Sequence, residues 1–173
     1  MKELMCPGCK ALFPDTEEPT HAYIGASAGC WKLYGEVLAK EFSEYRYPDF
    51  HRLTVDAYCV QHPGEPGPQS IQSVGVHLIA LYLAFEMRMP LTGISPLLGR
   101  LLKKGRPFEW LNPPEHLGEV TVLDIIKANS YKEHKLGVYR WAQDVWDAWG
   151  AYHKIVKNWY EELAIPKMSE VRF

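Results

Sequence analysis

The strongest pattern of apolar and polar positions in the chain lies in its last third. No proline interrupts the sequence between Ser130 and Pro166, and apolar residues recur there at steps of three and four. Ser130 and Glu133 have the spacing of a capping box, in which two side chains satisfy free N–H groups at the start of a helix. The apolar residues form two neighbouring stripes, which predicts one long helix over 130–165, deep in a helical bundle.

Three earlier segments also have helical patterns. Apolar residues recur at helical spacing over 29–42 and 50–61, where Asp49 is available as an N-cap and Pro63 ends the second pattern. The segment 69–87 is polar at its start and almost wholly apolar afterwards. A helix that is apolar on all sides is usually central in its fold, so this pattern predicts the central helix.

Two shorter helices are predicted from their start signals. Ser95 and Pro96 have the N-cap and first-turn arrangement, which predicts a short helix that ends near Lys104. Thr121 and Asp124 resemble a capping box, which predicts a two-turn helix. The segment 106–114 between them is typical of a loop.

The first 29 residues lack sustained periodicity and are rich in Gly, Pro, Thr and Ser, which is typical of an irregular lobe with tight turns. The sequence therefore predicts an all-α protein: a helical bundle with an irregular N-terminal metal-binding lobe. A chain of 173 residues is long enough to bury a core as a single domain. We expect this domain to comprise the Cys-containing lobe at 1–29 and the bundle at 30–165.

The net charge and the length of the longest apolar run argue against a nucleic-acid-binding protein and against a membrane protein. The formal net charge is −2, whereas nucleic-acid binding requires a concentrated basic face. The longest apolar run, 74–85, contains His77 and falls short of the roughly 20 residues that span a bilayer. The N-terminal residues lack the apolar stretch of an export signal. We therefore expect a cytoplasmic protein whose partner is a small molecule or another protein, with no nucleic acid and no membrane.

The N-terminal cysteines predict a metal site. Cys6 and Cys9 form a C-x-x-C motif around Gly8, which has the freedom to take the positive φ that such a turn often needs. Two thiolates at this spacing supply half of a tetrahedral zinc shell. The alternatives are an incidental motif with inert thiols and a redox pair, and against the redox pair no βαβ pattern surrounds the motif. We therefore predict bound zinc.

The other half of the shell must come from elsewhere in the chain. Cys30 lies at the start of a predicted helix, where backbone N–H groups favour a thiolate. His21 lies in the same lobe and is the predicted fourth ligand, with His62 as the alternative. Cys59 is held in reserve, three residues before His62.

Polar residues on the two central helices form a second candidate site. If these helices pack antiparallel, His77 lies level with residues 54–58, which makes His51, Asp56 and His77 a candidate cluster. As a catalytic group, Asp56 and a histidine could act as general acid and base. The alternative is a buried hydrogen-bond network without catalysis. We expect His134, in contrast, at the surface or at a helix end.

Several motifs resemble those of an uncharacterised bacterial family, a domain of unknown function. They read CPGC, GCW, HRLTVDAYxxQHPG and QSxxSVxVHL, with WAQDVWDAW in the last helix, and they extend over most of the chain. The resemblance carries no assigned reaction and supplies no catalytic roles. It implies that the motif positions include Cys6, Cys9, His21, Cys30, His51, Asp56, Gln61, His62 and His77. Cys59 stands where the resembled pattern has a small residue, which argues against Cys59 as a ligand.

The sequence thus supports a small zinc-binding helical protein of unknown reaction, with a polar small-molecule pocket between helices. Two alternatives remain open. One is a non-catalytic interaction module with a purely structural zinc, and the other is a metal-dependent hydrolase with water on an open zinc position.

Overall fold

A computed structural model describes residues 2–165 of the chain. In chain order, its elements are strands β1 (Glu3–Met5) and β2 (Leu12–Pro14) and helices α1 (Ala28–Ser43), α2 (His51–Gln61), α3 (Pro68–Phe85), α4 (Leu91–Leu101), α5 (Val122–Ile126), α6 (Tyr131–Ala148) and α7 (His153–Ala164). A 3₁₀ turn, Gly150–Tyr152, joins the last two helices. The predicted all-α fold is confirmed, with one small sheet as its only strand pairing in the described residues.

The N-terminal lobe contains a short antiparallel hairpin. Strands β1 and β2 pair with Leu4 opposite Phe13, and Phe13 is buried. Gly29, at the start of α1, lets the hairpin approach the helix, because a Cβ there would lie 2.8 Å from Phe13 Cβ. Three-residue strands are too short to show a period of two, so the sequence pattern predicted only an irregular lobe.

Helix α2 lies at the centre of the molecule and packs against α3 and α6. Two indoles of the last third fix this arrangement: Trp141 Nε1 donates to Gln61 Oε1 at 2.9 Å, and Trp149 Nε1 donates to the Val60 carbonyl at 3.0 Å. Both tryptophans are completely buried. The end of α2 is therefore held by hydrogen bonds as well as by packing.

Helix α4 begins earlier than the sequence predicts. Ser95 and Pro96 lie inside Leu91–Leu101 rather than at its start. Ser95 Oγ accepts a 2.6 Å hydrogen bond from Arg52 Nη1 instead of capping the helix. Burial of Ile94 and Leu98 against the core stabilises the turn before the proline, and this packing outweighs the local start signal.

The predicted long C-terminal helix is two helices. The break falls at Trp149, which is the C-cap of α6, and at Gly150. Glycine costs about 1 kcal/mol in a helix relative to alanine, and the bend lets the ring of His153 stack on Trp146 with centroids 3.7 Å apart. The Pro166 that should end the pattern lies outside the described residues.

Some of the predicted helix caps are confirmed and others are wrong. Thr121 and Asp124 form the predicted capping box, and the Ser130 side chain caps α6. Glu133, however, accepts from the backbone N–H of Asn129. Helix α2 has Phe50 rather than Asp49 at its N-cap. Across the described residues, every helix is too short or too polar to pass through a membrane.

Candidate metal centre

Cys6 and Cys9 lie in the turn of the N-terminal hairpin. The Cys6 N–H donates to the Ala11 carbonyl at 2.8 Å, and the Lys10 N–H donates to the Cys6 carbonyl at 3.0 Å. These bonds fold the C-x-x-C motif into a compact loop, here called the knuckle (residues 6–11). The residue of the knuckle with a positive φ is Lys10, at 62°, and not Gly8 as expected.

Gly8 is required for close approach instead. A Cβ at this position would collide with the ring of His62 and would lie 2.6 Å from the Gln61 carbonyl oxygen. The absence of a side chain therefore lets the knuckle lie directly on the end of α2. Local sequence around the motif gives no sign of this contact, because its partner is more than fifty positions away.

Cys30 enters the site from the first turn of α1. Ser27 is the N-cap of this helix, and its Oγ accepts from the Cys30 N–H at 3.4 Å. The Ser27 N–H in turn donates to Cys6 Sγ at 3.4 Å. Ser27 thus caps the helix turn that carries Cys30, and its own N–H donates a hydrogen bond to the Cys6 thiol.

His62 enters from the C-cap of α2. Its Nδ1 lies 2.8 Å from the Tyr58 carbonyl oxygen, and because a carbonyl only accepts, Nδ1 carries the proton. Nε2 is then the nitrogen with a free lone pair, and it lies 3.4 Å from Cys30 Sγ. Histidines that bind metals commonly have this arrangement, in which one nitrogen donates to a carbonyl and the other faces the ion.

The four side chains form one buried group. Sulfur atoms of Cys6, Cys9 and Cys30 and a ring nitrogen of His62 all lie within 4.8 Å of one another. In a tetrahedral zinc site, ligand atoms lie about 3.8 Å apart for two sulfurs and about 3.6 Å apart for sulfur and nitrogen. Cys9 Sγ and Cys30 Sγ are 4.0 Å apart. The donor set and its spacing therefore fit a tetrahedral ion such as zinc.

Three buried thiols this close cannot all ionise without a cation between them. Hydrogen bonds from Cys30 and Cys9 lower the pKa of the Cys6 thiol, whereas hydrogen bonds to Cys6 and Cys9 raise the pKa of Cys30. Ionisation of one thiol thus opposes ionisation of its neighbours. A divalent cation supplies the charge that lets every sulfur act as a thiolate ligand.

Tyr58 supports the group in three ways. Its carbonyl fixes the His62 ring, its own ring stacks on that ring with centroids 4.1 Å apart, and its hydroxyl lies 3.5 Å from Cys30 Sγ. The far face of Tyr58 stacks on Tyr34 at 3.7 Å. Burial raises the pKa of the Tyr58 hydroxyl, so the hydroxyl keeps its proton next to the sulfur.

The fourth member of the group is His62, and His21 does not belong to it. The His21 ring packs against Tyr23 and Trp31, with centroids 4.4 Å and 5.1 Å away. Its Nδ1 lies 3.4 Å from the Tyr23 N–H, at the exposed side of the lobe. His21 is close to the cysteines in sequence, but the knuckle lies against the end of α2, which carries His62.

The structure separates the three residues of the second candidate site. His77 Nδ1 lies 2.6 Å from Asp56 Oδ1, whereas His51 Nδ1 lies 2.6 Å from Glu41 Oε2 on α1. Five residues along a helix correspond to a rotation of about 140°. His51 and Asp56 therefore face different neighbours of α2.

His51 belongs instead to a buried network around Glu41. The Glu41 carboxylate accepts from His51, from Thr54 Oγ1 at 2.6 Å and from His134 Nε2 at 2.7 Å. Burial alone raises the pKa of Glu41, but the hydrogen bonds from these three residues outweigh it and lower the pKa. His134 is completely buried but lies in the first turn of α6, so of the two expected positions the surface is wrong and the helix end is correct.

Sequence reasoning missed Glu41 and Tyr58 as important polar residues. Glu41 looks like a solvent-facing residue of an amphipathic helix, and its partners come from two other helices. Tyr58, in contrast, carries a signal that was available: it is four residues before His62, the spacing at which a helix carbonyl meets a side chain beyond the helix end.

The knuckle also forms part of an open cleft. Its other walls are the segment 22–25, the connector 63–67, and Trp110 with residues 113–117 of the loop before α5. The cleft therefore adjoins the part of the knuckle that carries Pro7 and Gly8. The position of the knuckle therefore determines the shape of one cleft wall.

Comparison with known proteins identifies a family but no activity. A family model described as a family of unknown function (DUF5946) matches residues 4–150. No curated protein and no solved structure matches the chain. The family match includes all four residues of the cysteine–histidine group, and it confirms the resemblance noted from the motifs. On this evidence, the chain belongs to the DUF5946 family.

Proposed function

We propose that this protein binds one zinc ion through Cys6, Cys9, Cys30 and His62, and that the ion is structural. The observation that carries the proposal is the convergence of three sulfurs and one imidazole nitrogen within 4.8 Å of one another. Three elements that are distant in sequence supply these atoms. The ion would join the hairpin, the first turn of α1 and the end of α2.

The donor set favours zinc over other common ions. Thiolates and imidazole suit soft or borderline cations, and oxygen ligands suit magnesium and calcium. A Cys₃His set is one of the standard structural zinc shells. We therefore assign zinc as the cofactor.

Burial of the ligands favours a structural over a hydrolytic role. Cys6, Cys30 and His62 have no exposed surface, and Cys9 is only 7% exposed. Four protein ligands fill a tetrahedral shell, whereas catalytic zinc sites keep one position for water or substrate. This geometry supports the structural-zinc reading over the hydrolase alternative.

The zinc would stabilise a lobe that has little core of its own. Strands β1 and β2 have three residues each, and in this lobe Leu4, Met5 and Leu12 are exposed. Small lobes of this kind usually need a metal or disulfides to stay folded. All four cysteines are free thiols, which fits a reducing compartment, and on that ground we propose the cytoplasm.

The test is native mass spectrometry on untagged protein purified without added metal. We expect one zinc per chain in the wild type and none in Cys6→Ser/Cys9→Ser. Cys59→Ser is the matched control, because Cys59 lies outside the group and its loss should leave the zinc in place. Wild-type protein without metal, or a Cys59→Ser variant that loses it, would contradict the assignment.

Cobalt substitution separates the structural role from the hydrolytic one. A closed shell predicts a visible spectrum that does not change when small anions such as azide or cyanate are added. An open position would bind the anion, the spectrum would shift, and the structural reading would then be wrong.

A further inference from the structure

The cleft next to the knuckle has a size and a lining that suit a peptide. Its volume is about 1170 Å³, whereas small-molecule pockets usually have about 300–1,000 Å³. The aromatic rings of Trp110 and Tyr23 line it, and Tyr23 is 39% exposed. Prolines form much of the remaining lining: Pro7, Pro63, Pro66, Pro113 and Pro114. The cleft is therefore larger than a small ligand needs, and proline and aromatic rings recur along it.

Two walls of the cleft are fixed to each other by backbone contacts. The Gly25 N–H donates to the His62 carbonyl at 3.1 Å, and a Cβ at Gly25 would lie only 2.8 Å from the Gly64 Cα. The connector is held in its turn by Ser70, whose Oγ donates to the Glu65 carbonyl. The cleft thus has its shape before a ligand arrives, which reduces the entropic cost of binding.

The proline lining selects the backbone conformation of a bound peptide. Proline has no N–H group, so these walls offer few donors to a β-strand that would add to them through a ladder of hydrogen bonds. A polyproline II helix forms no such ladder, and its rings pack in grooves that aromatic side chains line. The lining therefore favours a proline-rich ligand over an added strand.

Trp110 adds a hydrogen-bond donor to this lining. In the described part of the chain its Nε1 has no partner, whereas the indoles of Trp141, Trp146 and Trp149 each donate to a protein oxygen. The carbonyl groups of a polyproline II helix have no internal partners. The unpaired indole N–H is thus available to a carbonyl oxygen of such a ligand.

The charged side chains of the lining favour a cationic ligand. Glu65 and Glu115 are exposed and line the cleft together with Lys10 and His116. Within residues 2–165, neither carboxylate forms an ion pair or a side-chain hydrogen bond. The Lys10 Nζ donates instead to the Pro7 carbonyl at 2.6 Å. Two carboxylates without partners thus complement a basic side chain on the ligand.

We propose that this cleft binds a proline-rich peptide in the polyproline II conformation, with an arginine or lysine next to its prolines. The prolines of the peptide would pack against Trp110, Tyr23 and the proline walls, and its basic residue would pair with Glu65 or Glu115. The partner is a protein with an exposed proline-rich segment. Peptide binding would be an activity in addition to the structural zinc, which holds the knuckle that forms one wall.

The experiment is calorimetric titration of the full-length, zinc-loaded protein with a capped synthetic peptide of one arginine and about eight prolines, which extends about 25 Å. We expect one peptide per chain and a Kd below about 100 µM. A peptide with glycine and serine in place of the prolines should bind at least about tenfold more weakly, because a flexible chain loses more entropy on binding. A peptide with glutamate in place of the arginine should bind at least about fivefold more weakly.

Three results would overturn the proposal. They are the absence of binding by the arginine–proline peptide, equal binding of the glycine–serine peptide, and equal binding of the glutamate peptide. Zinc content is measured in the same samples. A protein that holds zinc but does not bind the peptide would refute the peptide site and leave the zinc assignment standing.

Variants test the aromatic and the acidic contacts separately. Trp110→Ala should weaken binding by about tenfold or more, whereas Tyr139→Ala changes an aromatic residue outside the cleft lining and should bind as wild type does. Glu65→Gln/Glu115→Gln should remove the preference for arginine over glutamate in the peptide, and Glu109→Gln, an exposed change outside the lining, should keep it. Wild-type binding by Trp110→Ala, or an unchanged preference in the double variant, would contradict the assigned contacts.

Discussion

The two ends of α2 each carry a buried histidine, and they solve the problem of burial in opposite ways. At the N-terminal end, His51 joins Glu41, Thr54 and His134, where the carboxylate accepts from all three partners. At the C-terminal end, His62 joins three thiols that supply no opposite charge. In the first network the Glu41 carboxylate has all its hydrogen bonds from protein groups, although His134 Nδ1 has no partner among the described residues. In the second network the charge opposite the thiolates would come from the proposed zinc ion.

This difference explains what each end contributes. The Glu41 network connects α1, α2 and α6 with hydrogen bonds that need no cofactor, so it acts wherever the chain is folded. The cysteine–histidine group connects α2 to the hairpin, which has few buried side chains. A buried cluster that contains both a charge and its hydrogen-bond donors is stable by itself, whereas a buried cluster of like charges needs an opposite charge from outside.

Removal of the metal should have the largest effect on stability, and it should act only at the C-terminal end of α2. A strong chelator is expected to lower the Tm by more than about 10 °C, because structural zinc in small sites contributes about 10–16 kcal/mol of binding free energy. Hydrogen exchange should accelerate first in the hairpin and the first turn of α1. Equal acceleration around Glu41, or an unchanged Tm, would break the comparison.

Glu41→Gln should have the next largest effect, at the other end of α2. The amide cannot accept two charge-assisted hydrogen bonds, so we expect a loss of about 3–5 kcal/mol in the free energy of unfolding. Urea denaturation measures this loss, and zinc content should not change. Glu36→Gln, an exposed change on the same helix, is the matched control and should lie within about 0.5 kcal/mol of wild type.

The effect of Glu41→Gln should also depend on pH. Because the folded protein lowers the pKa of Glu41, its contribution to stability is complete above the ordinary carboxyl pKa and is lost as the pH falls through the lowered value. The difference between wild type and variant should therefore shrink in acid. A difference that grows below about pH 4 would contradict the assigned hydrogen bonds.

Gly8→Ala should weaken metal binding at the C-terminal end without removing a ligand. The new Cβ would push the knuckle away from His62 and the Gln61 carbonyl, and we expect zinc affinity to fall by about 10–100-fold in a competition assay with a chelating dye. Gly35→Ala is the control, because nothing lies within 4 Å of a Cβ there. Equal affinities for both variants would show that the close approach is unimportant.

Tyr58→Phe should have the smallest effect in the series. It removes the hydroxyl next to Cys30 but keeps the carbonyl and the ring that orient His62, so we expect a loss of about tenfold or less in zinc affinity. Tyr34→Phe keeps the stacked pair but removes a hydroxyl that forms no hydrogen bond with the four proposed ligands in the described residues, and should bind zinc as wild type does. A larger loss in Tyr34→Phe than in Tyr58→Phe would exclude the proposed hydrogen bond.

Local sequence signals predicted a helix end correctly where residues of that same helix form the cap. The caps at Thr121 and Ser130 are set by neighbours within three residues, and both are found. The start of α4 and the break at Trp149 depend on packing against distant residues. Local pattern reasoning therefore placed a false start at Ser95 and joined two helices into one.

The candidate site shows the same limit. Cys6, Cys9 and Cys30 could be predicted from spacing and from a helix start, but the choice between His21 and His62 depended on which element the knuckle faces. Proximity in sequence favoured His21, and the contact of Gly8 with the end of α2 placed His62 in the group. The separation of His51 from Asp56, in contrast, could have been found from the helical rotation alone.

The most direct test of the account is X-ray absorption at the zinc edge of the protein as purified. The structure predicts a shell of three sulfurs at about 2.3 Å and one nitrogen at about 2.0–2.1 Å, unchanged in His21→Gln and disrupted in His62→Gln. A shell that contains a water oxygen, or one that changes in His21→Gln and not in His62→Gln, would contradict the central claim that these four side chains close around one structural ion.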